Sequence, residues 1–121
     1  MPVGNLTTHV LDIAQGCPAA GVAIEVWRVG AAGDWHVCLR RVRTNEDGRT
    51  DEPLLSGHDL TAGTYQLVFA VGDYFATQPV ATAQPPFLDR VPVQVTVADP
   101  TAHYHVPLLV SPWAYSTYRG S

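Results

Sequence analysis

Residues 103–121, His103-Tyr104-His105-Val106-Pro107-Leu108-Leu109-Val110-Ser111-Pro112-Trp113-Ala114-Tyr115-Ser116-Thr117-Tyr118-Arg119-Gly120-Ser121, decide the fold. Side chains on a strand alternate between two faces, so Tyr104, Val106, Leu108 and Val110 share one face and His103, His105, Pro107 and Leu109 share the other. The first set reads as core. The second mixes two imidazoles with apolar neighbours, as expected of a surface that meets a ligand or another subunit. Ser111-Pro112 breaks the strand, and residues 114–118 read as a short strand returning beside it, with Ser116 and Tyr118 on one face. A chain end commonly frays unless something ties it down, and this one stays aromatic through Tyr118-Arg119-Gly120-Ser121. That pattern suggests that the end of the chain is used.

Working outward, residues 5–13 alternate Leu6, Thr8, Val10 and Asp12 against Thr7, His9, Leu11 and Ile13, and neither face is strongly polar. Such a strand is expected to lie against something on both sides. Residues 15–18 read as a turn, residues 22–29 as a β-branched strand, and residues 35–43 as a third strand reached through the Gly30–Gly33 loop. Residues 44–51, TNEDGRTD, are dense in turn formers; Gly48 takes positive φ and presents Arg49 just beyond the turn. Residues 53–63 look like connection or edge structure. Tyr65, Leu67, Phe69 and Val71 mark a further strand, and residues 72–77 read as a short helical turn, the one plausible helix. The loop at 84–87 leads to Val91, Val93, Val95 and Val97, a regular alternation that Asp99-Pro100 turns back towards residue 103. About six or seven short strands with almost no helical period indicate an all-β protein, a two-sheet β-sandwich with one short helix. Apolar positions left over on outward faces, Leu11, Ile13 and Leu109, call for self-association.

The 121 residues are expected to form a single domain, 1–121, with one hydrophobic core. A net charge of −4 argues against nucleic acid or an anionic membrane as partner, since either wants clustered Lys and Arg. The one basic run, Arg40, Arg41 and Arg43, reads as a solvated strand arm. The two cysteines, Cys17 and Cys38, fit neither a disulfide framework nor a zinc spacing and are expected to be free thiols. No secretory signal or membrane-spanning stretch is legible, so a cytoplasmic protein is expected. The match of residues 5–7 to a glycosylation sequon is therefore taken as chance.

A lone histidine on a strand is usually a surface or core residue, and His36 and His58 are read that way. His9 and His105 differ, because strand parity puts His9 on the face of Leu11 and His105 on the face of Leu109. If both are subunit-facing, two imidazoles that titrate near neutrality converge in a partly dry cleft. Arg49 would hold an anionic or polarised oxygen through planar hydrogen bonds. Tyr118 would close the pocket by stacking or by its hydroxyl. His103 lies one pleat beyond His105 and is read as a neighbour. No serine elbow or Cys-His signature is present, and His103 with His105 lacks the Cys, Asp or Glu that would complete a metal site. The chemistry that fits is assisted water attack, with no covalent intermediate, metal or cofactor.

Three blocks, LTTHVLD at 6–12, TNEDGRTD at 44–51 and HYHVPLLVSPWAYSTYRGS at 103–121, resemble the 5-hydroxyisourate hydrolases, the transthyretin-related enzymes of purine breakdown, in the family's order and over essentially the whole chain. The resemblance implies a transthyretin-like (prealbumin-like) fold of two four-stranded sheets with one short helix, assembled as a homotetramer, a dimer of dimers around a central channel. It implies cofactor-independent hydrolysis of the cyclic amide of 5-hydroxyisourate to 2-oxo-4-hydroxy-4-carboxy-5-ureidoimidazoline, on the way from urate to allantoin. Carried over residue by residue, the catalytic positions are His9, Arg49 and His105. Tyr118 joins them in binding the purine-derived substrate, with Ser116 and Ser121 lining the site. The rival is a transthyretin-like carrier that binds an aromatic small molecule in an intersubunit channel, although transthyretin lacks the histidines and the YRGS ending. A generic interaction module, the third possibility, would leave His9 and Arg49 without any role beyond stability.

Overall fold

A computed structural model describes residues 3–121. Among these, β1 (Asn5–Asp12), β2 (Cys17–Pro18), β3 (Ala23–Val29), β4 (His36–Arg43), β5 (Leu55–Ser56), β6 (Gly63–Ala70), α1 (Val71–Ala76), β7 (Arg90–Val97), β8 (His103–Val110) and β9 (Tyr115–Thr117) follow in chain order. One sheet runs β2-β1-β8-β9, with β5 also paired to β1; the second runs β4-β3-β6-β7. The expected two-sheet sandwich with one short helix is present.

The sandwich is built by two-residue periodicity. Along β1, Leu6, Thr8, Val10 and Asp12 are buried and the odd positions are half-buried. Along β8, Tyr104, Val106, Leu108 and Val110 point inward as their spacing required. They meet Ile24 and Val26 of β3, Tyr65, Leu67 and Phe69 of β6, and Val91, Val93 and Val97 of β7 in one core. At a fully buried position such as Leu108, truncation to alanine costs about 2–5 kcal/mol. Thr8, the polar member of the inward row, is satisfied by donating to the Val106 carbonyl at 2.7 Å.

The strands β1 and β8 run parallel, pairing Thr7 with His105, His9 with Pro107 and Leu11 with Leu109. Nothing local in the sequence announces that pairing, yet it places the two histidine strands side by side. The helix α1 is too short to hold itself together and depends on packing. Tyr74 and Phe75 are buried, their rings 4.9 Å apart edge to face. The Tyr74 hydroxyl donates to Asp12 Oδ2 at 2.8 Å. Asp12 also accepts from the backbone N–H groups of Ala14 and Gln15 and from the Gln15 side chain. A fully buried carboxylate thereby ties the helix to the end of β1.

Several expectations shift in detail. The turn at 15–18 contains β2, whose two residues pair with Leu11 and Asp12. The segment 53–63 is anchored more deeply than connection structure: Leu54, Leu55 and Leu60 are buried, and β5 pairs with Asn5 and Leu6. Val71 belongs to the helix. The sheet containing β1 gains β5 beyond the four strands expected. The arginine run lies on β4 as expected, with Arg40 paired to Glu52 and Arg41 to Glu25 at the surface. Cys17 and Cys38 are free thiols.

Candidate active site

Register assigns the outer face of the first sheet. On β1 it carries Thr7, His9 and Leu11; on the adjacent β8 it carries His105, Pro107 and Leu109; on β9, Ser116 stands opposite Leu109. Register partners share a face, so the imidazoles of His9 and His105 and the hydroxyls of Thr7 and Ser116 stand on one side of this sheet, with His103 further along β8 on the same side.

Arg49 reaches the same region from beyond the other edge of β1. The turn preceding it is closed by Asn45 N–H donating to the Arg49 carbonyl at 2.7 Å and by Gly48 N–H donating to the Asn45 carbonyl at 3.0 Å. It docks on β1 through Val10 N–H, which donates to the Gly48 carbonyl at 2.8 Å. Gly48 has φ +74°, and a Cβ there would lie 2.4 Å from the Val10 carbonyl oxygen. Glycine therefore meets both the turn and the close approach. Arg49, exposed, shares a cleft of about 210 Å³ with Thr7, Thr8 and residues 50–53.

His105 is the most constrained of the site residues. Its Nδ1 lies 2.8 Å from the Thr7 hydroxyl. Its carbonyl accepts the Gly120 N–H at 2.8 Å, which draws the end of the chain back across β8. Burial holds the imidazole pKa below its ordinary 6.5, and the positive charge of Arg49 and then of His9 lowers it further. Near neutral pH the ring is uncharged, with a nitrogen able to take a proton beside a fixed cation that can hold a developing anion.

Tyr118 is 60% exposed and shares with His105 a second cleft, about 350 Å³, between the chain end and β7. Ser116 and Ser121 are exposed; Ser121 follows the Gly120 bridge and so sits close to His105 in the chain path. His103 is exposed at the start of β8, where its carbonyl accepts from Arg119 at 3.2 Å. His36 and His58 lie at the surface. Arg119 turns its guanidinium over the Tyr104 ring, 4.3 Å from the centroid, which helps pin the tail. Across the sheet the order is Arg49, His9, His105, then Ser116 and Tyr118. Among the described residues no three His, Cys, Asp or Glu side chains gather as a metal-binding group.

Two of the groups against His105, Thr7 and Gly120, were not singled out from the sequence. The Thr7 signal was available, since it shares the face of His9 two residues earlier. Its meeting with His105 needed the parallel pairing.

The fold and these residues define a class: a transthyretin-like sandwich with histidines on an outer sheet face and an arginine beside them. The model of the HIUase/Transthyretin family matches residues 6–120, and the chain belongs to that family. The 5-hydroxyisourate hydrolase of Pseudomonas aeruginosa is 51% identical over 120 residues, covering 99% of this chain and 94% of that one. The solved Klebsiella pneumoniae 5-hydroxyisourate hydrolase superposes with a TM-score of 0.77 at 32% identity, covering 98% of this chain and 94% of that one. A solved (S)-allantoin synthase superposes with a TM-score of 0.92 at 43% identity over 99% of this chain, but this chain spans only 44% of it.

Proposed function

We propose that the protein hydrolyses 5-hydroxyisourate in urate degradation, as a single transthyretin-like domain over 1–121. The observation that carries the reading is the placement of His9 and His105 on one sheet face with Arg49 near enough that its charge, after burial, lowers the His105 pKa. Full-length relatives that carry the hydrolase name support it.

The reaction needs only water as co-substrate. One histidine of the His9/His105 pair takes a proton from water as its oxygen bonds to the ring carbonyl carbon. Arg49 holds the carbonyl oxygen as it becomes anionic. The ring C–N bond then breaks, the departing nitrogen receives a proton from the imidazole side, and the former carbonyl carbon leaves as a carboxylate. Tyr118 stacks on or hydrogen-bonds the flat heterocycle, with Ser116 and Ser121 lining the pocket. No cofactor enters this chemistry. The product is 2-oxo-4-hydroxy-4-carboxy-5-ureidoimidazoline.

The same reading assembles the chain as a homotetramer, a dimer of dimers, with sites between subunits. Supporting it, Leu11 and Leu109 lie half-buried on the face that carries the histidines, and Ile13 beyond them is 53% exposed. Two free thiols suit the reducing cytoplasm. No helix among the described residues is long and apolar enough to cross a membrane.

The test generates 5-hydroxyisourate from urate with urate oxidase and follows its ultraviolet absorbance with wild type, with His105→Ala and with buffer. Accelerated decay by wild type alone is the expected result. Acceleration by both proteins keeps the function and moves proton transfer to His9. No acceleration by folded, assembled protein overturns the reading and leaves a channel that binds without turning over.

A further inference from the structure

The His105 ring is gripped from two sides. On one, Nδ1 faces the Thr7 hydroxyl at 2.8 Å across the parallel β1–β8 pair. On the other, Gly120 packs so tightly that a Cβ there would lie 2.5 Å from Cδ2 and 3.2 Å from Cγ, with Pro107 Cγ at 3.3 Å. Nδ1 and Cδ2 are the two ring atoms bonded to Cγ. Holding both fixes the rotation of the ring about its bond to the strand and leaves Cε1 and Nε2 as the free end.

We propose that Thr7 is the positioning residue of His105: its hydroxyl engages Nδ1, so that Nε2 alone exchanges protons with the reacting groups. The inference rests on the hydrolase reading for the identity of those groups, while the contact itself stands on geometry. A hydroxyl suits the task because its oxygen accepts a hydrogen bond without bringing a charge. With the ring neutral and Nε2 free to take a proton, Nδ1 carries the ring hydrogen and Nδ1–H donates to the Thr7 oxygen. When Nε2 has taken a proton and the ring is cationic, Nδ1–H still donates to the Thr7 oxygen. One hydrogen bond of fixed direction serves both states, and each proton gained at Nε2 returns by the same atom. A carboxylate at this position would stabilise the cation instead and raise the pKa. The groups that His105 feels, Arg49 and His9, are both basic, and its pKa is lowered rather than raised. Thr7 makes no other side-chain hydrogen bond among the described residues, so the contact is not a by-product of a structural network. By contrast, its neighbour Thr8 turns inward to the Val106 carbonyl.

The experiment compares wild type, Thr7→Val and Thr7→Ser as assembled proteins, by turnover and by nitrogen-resolved NMR of the His105 ring. Valine keeps the shape and strand preference of threonine and removes the hydroxyl. With Thr7→Val, kcat is expected to fall roughly ten- to a hundredfold, part of what a placed proton-transfer group supplies, with KM nearly unchanged. The ring signals should move from one nitrogen-protonation pattern to an averaged pair of tautomers. Thr7→Ser, which restores the hydroxyl, should recover most of both. Unchanged His105 signals in Thr7→Val overturn the proposal whatever its kcat, and so does a serine variant as slow as the valine one. Wild type that fails to turn over 5-hydroxyisourate removes the hydrolase reading instead, and the NMR comparison still decides the Thr7 contact.

Discussion

The two outer faces of the sandwich make different use of charge. The β4-β3-β6-β7 face has the larger cleft, about 440 Å³, lined by Glu25, Arg41 and Arg90 among others. Its charges answer each other: Glu25 binds Arg41 Nε at 3.1 Å and Arg90 Nη1 at 3.3 Å. Hydrogen bonds from Arg41 and Trp27 hold the Glu25 carboxyl below its usual range, as a carboxylate with partners should be. The β2-β1-β8-β9 face has a smaller cleft, about 210 Å³ at Arg49, but it gathers two histidines near that arginine, which forms no ion pair among the described residues. Cleft size therefore does not mark the site. What sets this face apart is two imidazoles near an arginine without an ion pair, whose charge adds to burial in lowering the His105 pKa.

The contrast breaks if Glu25→Ala and His105→Ala impair turnover alike. The expected outcome is a loss of about 10²–10⁴ in kcat for His105→Ala, the range supplied by a positioned acid or base. Glu25→Ala should leave kcat unchanged. A comparable loss is expected for Leu109→Glu, which puts a charge on a half-buried apolar position of the same sheet face, beyond Pro107 from His105. Sedimentation should show dissociation of this variant, and turnover should vanish with both imidazoles intact. Full activity in a proven monomer would remove the intersubunit site.

The pH dependence sharpens the comparison. Arg49 and His9 are the charged groups that press on His105, and both lower its pKa below 6.5, after burial. A base must be unprotonated to act, so activity supported by His105 is present near neutrality and is lost as pH falls through that lowered value. Arg49→Gln removes one of the two charges. The His105 titration, followed by proton NMR, should then move up towards 6.5. A midpoint that stays put, or falls further, would mean that Arg49 does not reach the ring.

Periodicity made most of the fold legible. The alternations at residues 5–13, 91–97 and 103–110 became β1, β7 and β8, and TNEDGRTD became the glycine turn that docks on Val10. The two-residue strands β2 and β5 were not legible, because two residues carry no period and these exist only through pairing with β1. Tyr115 and Thr117 have inward parity, opposite Val110 and Leu108, yet are exposed because β9 is an edge strand. Parity gives a face, and position in the sheet decides whether that face is covered. For the site, the sequence suggested that His9 and His105 converge with Arg49 and Tyr118, and the structure sets Arg49 and His9 close enough to shift His105. Thr7 stayed hidden because a contact spanning 98 residues depends on parallel register, which local pattern does not contain.

The smallest expected effect lies on the other face. Glu25→Gln keeps the shape of the side chain and removes its charge, so the amide oxygen can still accept from one arginine while the amide N–H group faces the other donor. Arg41 and Arg90 are well exposed, and salt bridges between exposed groups contribute about 0–1 kcal/mol each. Glu25 is itself largely covered, so its loss should be felt towards the upper end of that range. Thermal unfolding should thus shift by only a few degrees. The shift should shrink in high salt, where the pairs in the wild type are screened. It should also shrink at acid pH: the lowered pKa makes the carboxylate's contribution full above the unfolded value near 4.5, and it is lost as pH falls through the folded value. Turnover should stay at the wild-type rate throughout. A shift independent of salt and pH would assign Glu25 a packing role under Trp27, while a loss of turnover would place a second working group on the face with paired charges.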